Sequence, residues 1–432
     1  MGYYKNRMIE EQELGINFVD GKFVCPDCFE DYSIKSFILT ELCWNSCDYC
    51  GNKSNIPIAA CLNDVLRFMA EGINKRWEDP ANSVAYCSAE GGYQGAEIID
   101  TPDMIDYELQ LNLDNNLLRN DLITALGPTN CWCKKDPYGL WPHEQDLSEW
   151  QDFSKQVMYH SRYVFYKIKA KNEHSLAVYQ QPYEILDHIG NIVNELNLVE
   201  LIDINTIFFR ARLLKNKNHI IKTAKEIGTT PKANALNANR MSPTGIPMFY
   251  GAFDQDTALT EIFHNYSPSK PHHKIAHEGR TNFTYIAIGK FKTQKSLHIL
   301  NFTKLPLLPS FFDLHNLHLY EKIKFIKEFV DDLKKPILID NRDHIDYVPT
   351  QVVTEYFRHV YKYNKINIDG IIYPSSCYAG GICIVLFVDN KNCVDEGEEG
   401  ILALEKSSLI KIKINKIKGK INYNYRITRK LN

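Results

Sequence analysis

Short bursts of alternating apolar and polar residues mark the second half of the chain, while apolar residues recur at longer, helical spacing through the middle. Strict alternation puts every second side chain on one face of a strand; recurrence every three or four residues puts them on one face of a helix. On this basis residues 206–212, 247–253, 283–291, 369–373 and 382–388 are expected as strands, and 321–334 and 350–363 as helices. Upstream, Trp150, Phe153, Val157, Val164, Phe165 and Ile168 keep helical spacing, and Ile185, Ile189, Ile192, Val193 and Leu196 repeat it. The stretch before residue 200 is thus expected to be mainly helical. Strands mixed with helices beyond it indicate an α+β fold around a central, twisted, partly antiparallel sheet.

An apolar fraction of 44% over 432 residues is enough for two or three domains with real cores. No apolar run nears the ~18 residues of a membrane helix. The longest, Ile382 to Val388, is of strand length, and MGYYKNRMIEEQE lacks a signal-peptide core. Asn6 stands where a myristoylation signal has Ser or Thr. A cytoplasmic protein with no membrane partner is the expectation. Charge divides the chain: residues 1–200 hold 16 Lys and Arg against 31 Asp and Glu, and residues 201–432 hold 34 against 22. Such a basic half attracts an anionic ligand, and the acidic half, above all Glu90 to Asp121, suits a docking surface or lid. Residues 406–432 carry nine Lys and Arg and no acid, with Ile410 to Ile414 alternating as a charged edge strand does. Nucleic acid is not the expected partner, because stacking aromatics there are limited to Tyr423 and Tyr425.

Cysteines mark the start of the chain. Cys25-Pro-Asp-Cys28 and Cys47-Asp-Tyr-Cys50 are separated by 18 residues, a spacing that suits a four-thiolate zinc site. Each pair lies on a tight turn that aims two sulfurs at one point. Four protein ligands leave no open position, so zinc would be structural and not catalytic. Cys43 is a spare, and Cys131, Cys133, Cys377, Cys383 and Cys393 read as small packing residues.

The chemistry-bearing stretch is ANRMSPTGIPMFYGAFDQDTALTEIF, in which Arg240, Tyr250 and Glu261 follow one another at ten and eleven residues. Pro243, Gly245 and Pro247 make a turn, MFYGAF a half-buried strand, and Asp254 or Asp256 can cap a helix whose apolar face is Ala258, Leu259 and Ile262. A cation, a ring and a carboxylate are what a dinucleotide's phosphate, base and ribose require. The glycine phrase EGGYQG at 90–95 is not a dinucleotide fingerprint, and no phosphate-binding G-x-x-x-x-G-K-[ST] occurs.

With FFRAR at 208–212, DYVPTQVVTEYF at 346–357 and DGIIYPSSCYAGGICIVLF at 369–387, this stretch resembles the RES domain, a family of NAD-degrading toxins and larger relatives. The resemblance implies a fold akin to ADP-ribosyltransferases and NAD as substrate. It also implies Arg240, Tyr250 and Glu261 as the catalytic set, with Arg210 and Ser375 as further NAD contacts. Where the family often has an Arg two residues past that Ser, this chain has Cys377. The reaction it implies is cleavage of the nicotinamide N-glycosidic bond: a neutral base leaves while positive charge grows on the ribose, so a carboxylate suffices and no metal or histidine is needed. Glu261 would stabilise that charge, Tyr250 would stack on nicotinamide, Arg240 and Arg210 would hold the pyrophosphate, and Ser375 would add a hydroxyl contact. Water, phosphate or a protein side chain could each accept the ADP-ribosyl group. The paired thiols, EGGYQG and Trp150-Gln-Asp-Phe153 resemble the HEPN-type N-terminal domain of large RES proteins, giving an expected division into a zinc knuckle at 1–60, a helical domain at 61–200 and the RES-like domain at 201–432. The ribonuclease motif R-x4-6-H is absent from residues 1–200, Arg212 and His219 being the one later match, and His143, His160 and His174 read as ordinary histidines. A ribonuclease with an NAD-sensing RES part is the alternative, and the missing motif counts against it. The implied biology is that of toxins and phage defence, with an antitoxin or regulatory protein as partner.

Overall fold

A computed structural model describes residues 2–127, 130–167, 181, 183–214, 218–264, 285–335 and 342–413. The chain forms two compact units: Met1–Glu144 with Leu307–Lys324, and Gln145–Pro306 with Phe325–Asn432.

The first unit is built on α1 (Gly2–Leu14), α2 (Tyr32–Thr40), α3 (Leu62–Arg76) and α4 (Asn116–Leu126). Asp31 starts α2 by accepting from the backbone of Ser33 and Ile34, and Asn115 does the same for Leu117 and Leu118 at α4. Leu62, Val65, Leu66, Met69 and Ile73 form one buried face of α3. Phe312, from the returning segment 307–324, packs there so closely that a Cβ at Gly72 would stand 2.8 Å from its ring. Tyr32 anchors the same segment, donating to Asp313 Oδ2 at 2.7 Å and accepting from Ser310 N at 3.1 Å. The expected run of helices is interrupted by short ribbons: Trp77–Glu78, Cys131–Lys134 and Ile99–Asp100 form one, and Tyr86–Cys87 with Gly92–Tyr93 another. The glycine phrase is the turn of that second ribbon, Gly91 taking φ 79°.

The second unit contains α6 (Glu184–Glu195) and a nine-stranded mixed sheet; α5 (Pro142–Lys155) enters it from residues of the first. In chain order the strands are β1 (Val199–Ile202), β2 (Ile207–Leu214), β3 (Phe249–Ala252), β4 (Tyr285–Thr293), β5 (Leu297–Asn301), β6 (Gly370–Pro374), β7 (Ile382–Leu386), β8 (Cys393–Asp395) and β9 (Leu402–Lys413). Across the sheet they run β8-β9-β4-β2-β3-β7-β6-β5-β1, parallel at β5/β6 and β8/β9 and antiparallel elsewhere. Further helices are α7 (Gln255–His264), α8 (Leu317–Leu333), which begins among residues of the first unit, and α9 (Val348–His359).

The α+β class and the mixed sheet agree with the periodicities. Three short strands, β1, β5 and β8, were not foreseen, since three to five residues carry too little alternation to stand out. The alternating segment after residue 409 ends a twelve-residue strand, β9, whose first three residues are covered by β8. Beyond Leu404, no strand among the described residues pairs with its outer side. Ile168, His174, Ile414, Tyr423 and Tyr425 lie outside the described residues. No helix among the described residues is long and apolar enough to cross a membrane.

Register decides what each sheet face carries. Phe208, Phe249, Ile372, Ile384 and Leu386 pack on one face. Ala211, Ala252, Ile286 and Ile288 lie on the other, under Ala258 and Leu259 of α7. Tyr250 pairs with Val385, and Ala252 and Tyr373 both stand opposite Cys383, so these residues share the α7 face.

Candidate functional site

Two groups of side chains could carry chemistry. In the first unit, Cys25, Cys28, Cys47 and Cys50 place their four sulfurs within 4.8 Å of one another. A short turn, Pro26–Cys28, brings the first pair round, and Gly51 at φ 74° lets the second close, with its N–H on the Cys47 carbonyl at 3.2 Å. Sulfur separations of 3.7, 3.4 and 3.5 Å link Cys25 to Cys28, Cys25 to Cys50 and Cys28 to Cys47. A tetrahedron with metal–sulfur bonds of about 2.3 Å has edges of about 3.8 Å, so the donor set fits a bound metal ion. Donation from the Cys28 thiol, then from the backbone N–H groups of Cys50, Tyr49 and Cys25, pulls the Cys47 thiol well below its ordinary range. Burial pushes the Cys25 thiol up, and the Cys28–Cys47 hydrogen bond does most to push up Cys28. Such a cluster has the sulfur crowding that a cation relieves. Cys43 is exposed and outside it.

The second group sits on the α7 face of the sheet. Asp254 caps α7, accepting from Thr257 N at 2.8 Å and Thr257 Oγ1 at 2.6 Å, and thereby orients the helix that carries Glu261. Gly381 lies so close to Thr257 that a Cβ would stand 2.5 Å from its hydroxyl, which explains a glycine there. Glu261 Oε1 accepts from Ser375 Oγ at 2.5 Å and from Cys383 Sγ at 3.6 Å. Ser375 Oγ in turn accepts from the backbone of Cys377 and Tyr378, each at 3.1 Å, so its proton is directed at the carboxylate. Burial, helped by the Glu261 charge, raises the thiol pKa of Cys377 and of Cys383. Cys383, expected only to pack, therefore remains a thiol and serves as a donor.

Tyr250 reaches from β3 to the turn that holds Arg240. Its hydroxyl accepts from Met241 N at 3.3 Å and shares a hydrogen with Ser242 Oγ at 2.9 Å. Burial pushes this phenol up to about 12, so it is protonated at neutral pH. From α9, Thr350 Oγ1 donates to the Arg240 carbonyl and Gln351 Nε2 to the Asn239 carbonyl at 2.9 Å, clamping the turn. Arg240 Nη1 donates to the carbonyls of Leu333 and, at 3.0 Å, Lys335, at the C-terminal end of α8. Its other guanidinium nitrogens have no hydrogen-bond partner among the described residues.

Arg210 is placed differently. It lies on the opposite face, above the Phe249 ring at 5.1 Å, and donates to the carbonyls of Ile227 at 2.8 Å, Gly228 at 3.1 Å and Tyr250. Burial, with the Arg212 charge, lowers this guanidinium to about 10, and it stays cationic at neutral pH. The structure thus brings Tyr250, Glu261 and Ser375 to one face with Arg240 beside them, and leaves Arg210 behind the sheet. Arg212 donates to the Glu226 carbonyl, and the His219 carbonyl accepts from Lys411.

Tyr373, not singled out in the sequence, stands within this group. Burial raises its phenol pKa well above the usual value, the charges of Cys383, Glu261 and Tyr250 adding and that of Arg240 opposing. One phenol thus feels the whole set. A polar ring ending the apolar run Gly370-Ile371-Ile372, two residues before Ser375, was the available signal.

Residues 211–404 match the family model described as RES domain, and residues 44–171 match the one described as HEPN/RES N-terminal domain 1. No curated protein matches the chain.

Proposed function

From a chain of the large RES form, in which a HEPN/RES-type N-terminal domain precedes the RES domain, we propose an enzyme that consumes NAD by cleaving the bond between nicotinamide and ribose. The observation that carries the reading is the 2.5 Å hydrogen bond from Ser375 to Glu261 on the sheet face that also carries Tyr250. A carboxylate held this way needs no reorganisation as positive charge develops on the ribose, and such preorganised stabilisers dominate many active sites. Glu261 is its source here. Nicotinamide leaves as a neutral base, so no acid has to protonate it. Arg240, with guanidinium N–H groups that no described residue engages, takes the pyrophosphate, and the Tyr250 ring flanks the base. Ser375 acts on Glu261 more directly than on substrate. Arg210 supports the back of the sheet by binding three carbonyls, among them that of Tyr250.

Water is the acceptor in this reading, which makes the enzyme an NAD glycohydrolase whose activity would arrest growth, as a toxin or defence effector does. A sheet with a glutamate-bearing helix on one face also suits kinship with ADP-ribosyltransferases. The four thiolates Cys25, Cys28, Cys47 and Cys50 would hold zinc, which would cross-link two turns and take no part in the reaction.

Incubating purified protein with NAD and following nicotinamide and ADP-ribose by chromatography tests the proposal. Wild type should release both, and Glu261→Gln should be slower by at least about 100-fold, the usual cost of removing a preorganised stabiliser. Equal rates in the two proteins would reject the assignment. Nicotinamide release without free ADP-ribose would move the acceptor to phosphate or a protein side chain.

A further inference from the structure

Of the two tyrosines on the α7 face, one has its hydroxyl engaged by the described residues and the other does not. Tyr250 Oη is taken by Met241 N and Ser242 Oγ. Tyr373 Oη has no hydrogen-bond partner among the described residues. Sealed polar atoms without partners do occur, at Trp77 Nε1 and Ser154 Oγ for instance, but the Tyr373 oxygen is not sealed in that way. A half-buried phenol whose oxygen no described protein group engages, and which is still reachable from outside, keeps its donor and acceptor capacity for a ligand.

Its surroundings say where that something lies. Tyr373 stands opposite Cys383 in the ladder, and Ser375 follows two residues later; both side chains donate to Glu261 Oε1. Tyr373 also lines a small crevice with Met241, Phe302, Val330, Leu333, Lys334 and Pro374. Met241 contributes the N–H that binds Tyr250, and Leu333 a carbonyl that binds Arg240. The residue therefore adjoins the supports of all three expected catalytic groups.

We propose that the Tyr373 hydroxyl bonds substrate, at a hydroxyl of the nicotinamide-side ribose beside Glu261, while the Tyr250 hydroxyl braces the Arg240 turn and leaves only its ring to flank the base. The inference rests on the NAD reading and adds a residue to it. Burial beside Glu261 keeps the Tyr373 phenol protonated, so it acts as a neutral hydrogen-bond donor and not as a base.

The test compares wild type, Tyr373→Phe and Tyr250→Phe on NAD and on NAD analogues lacking the 2′- or the 3′-hydroxyl of that ribose. Tyr373→Phe should melt with wild type yet lose about tenfold in kcat/KM on NAD, the effect of one substrate hydrogen bond. On one deoxy analogue the difference between wild type and Tyr373→Phe should vanish, which a purely structural role would not produce. Tyr250→Phe should instead melt earlier and keep its deficit on both analogues. Equal kinetics of Tyr373→Phe and wild type on NAD, or a Tyr373→Phe deficit undiminished on both analogues, overturns the inference alone. A wild type that neither binds nor cleaves NAD overturns the functional reading, and the inference with it.

Discussion

The four-thiol cluster and the Glu261 cluster are both convergences of reactive side chains, yet they are assembled in opposite ways. Each half of the thiol cluster is made by one tight turn, so within a pair the ligands are three residues apart and local geometry does the aiming. The Glu261 cluster draws Arg240 from a turn, Tyr250 from β3, Glu261 from α7 and Ser375 from beyond β6, and only the strand pairing β3/β7/β6 unites them. A site of the first kind should fail as a unit when its ligand is withdrawn. One of the second kind, supported by a sheet, should lose activity residue by residue without unfolding.

The largest effect expected from that contrast is on the thiol side. Freshly purified protein should hold one zinc per chain, and chelation or Cys47→Ser should abolish cooperative melting of the first unit, because structural zinc contributes on the order of 10–16 kcal/mol to small domains. Elemental analysis and circular dichroism would show it. Metal-free protein melting like the original would remove the contrast.

A buried ion cluster in the first unit offers a harder case, because it is as non-local as the Glu261 group. Arg76, stacked on Trp141 at 4.4 Å and Tyr320 at 4.8 Å, pairs with Glu321, which also bonds His143 Nδ1 at 2.5 Å. The side chains of Arg76 and Glu321 are only 11% and 16% exposed, so Arg76→Met should cost about 3–5 kcal/mol by leaving a charge unpaired. Burial disfavours the Glu321 charge, but His143 and Arg76 outweigh it, and the carboxyl titrates below its ordinary 4.5. Its contribution is therefore complete above pH 4.5 and lost as pH falls through the lower folded value, which thermal melts across that range would detect. His143, read as an ordinary surface or core histidine, is a core one, bonded within this cluster.

The smallest effect belongs to Ser375→Ala. Loss of its hydrogen bond to a charged group should slow NAD turnover by roughly 10- to 100-fold, and the melting temperature should stay put. An equal fall in stability would show that the second site, too, is a structural unit.

Much of the architecture could be read in advance because it rests on local periodicity. MFYGAF alternates and forms β3; ICIVL is an apolar run and forms β7; Asp254 precedes an apolar helical face and caps α7. The short pairings at β1, β5 and β8 could not be read, because their stability comes from neighbours supplied by distant chain. Within the site, Arg240, Tyr250 and Glu261 were visible as a spaced set, and Ser375 through the family resemblance. Tyr373 and Cys383 were not, since nothing local distinguishes a strand residue facing a carboxylate from one facing core.

By itself, then, the sequence determined the longer elements, the thiol pairs and the order of charged and aromatic residues, all of which depend on backbone propensity and near neighbours. Tertiary structure alone decided that Arg210 faces away from Glu261 and that the Tyr250 hydroxyl is already bonded while that of Tyr373 meets no hydrogen-bond partner among the described residues. The physical reason is that alternation says which residues share a face, but the partner strand decides what that face meets. A polar group is free for substrate only after carbonyls far along the chain, such as those of Ile227 and Leu333, have claimed what they can reach.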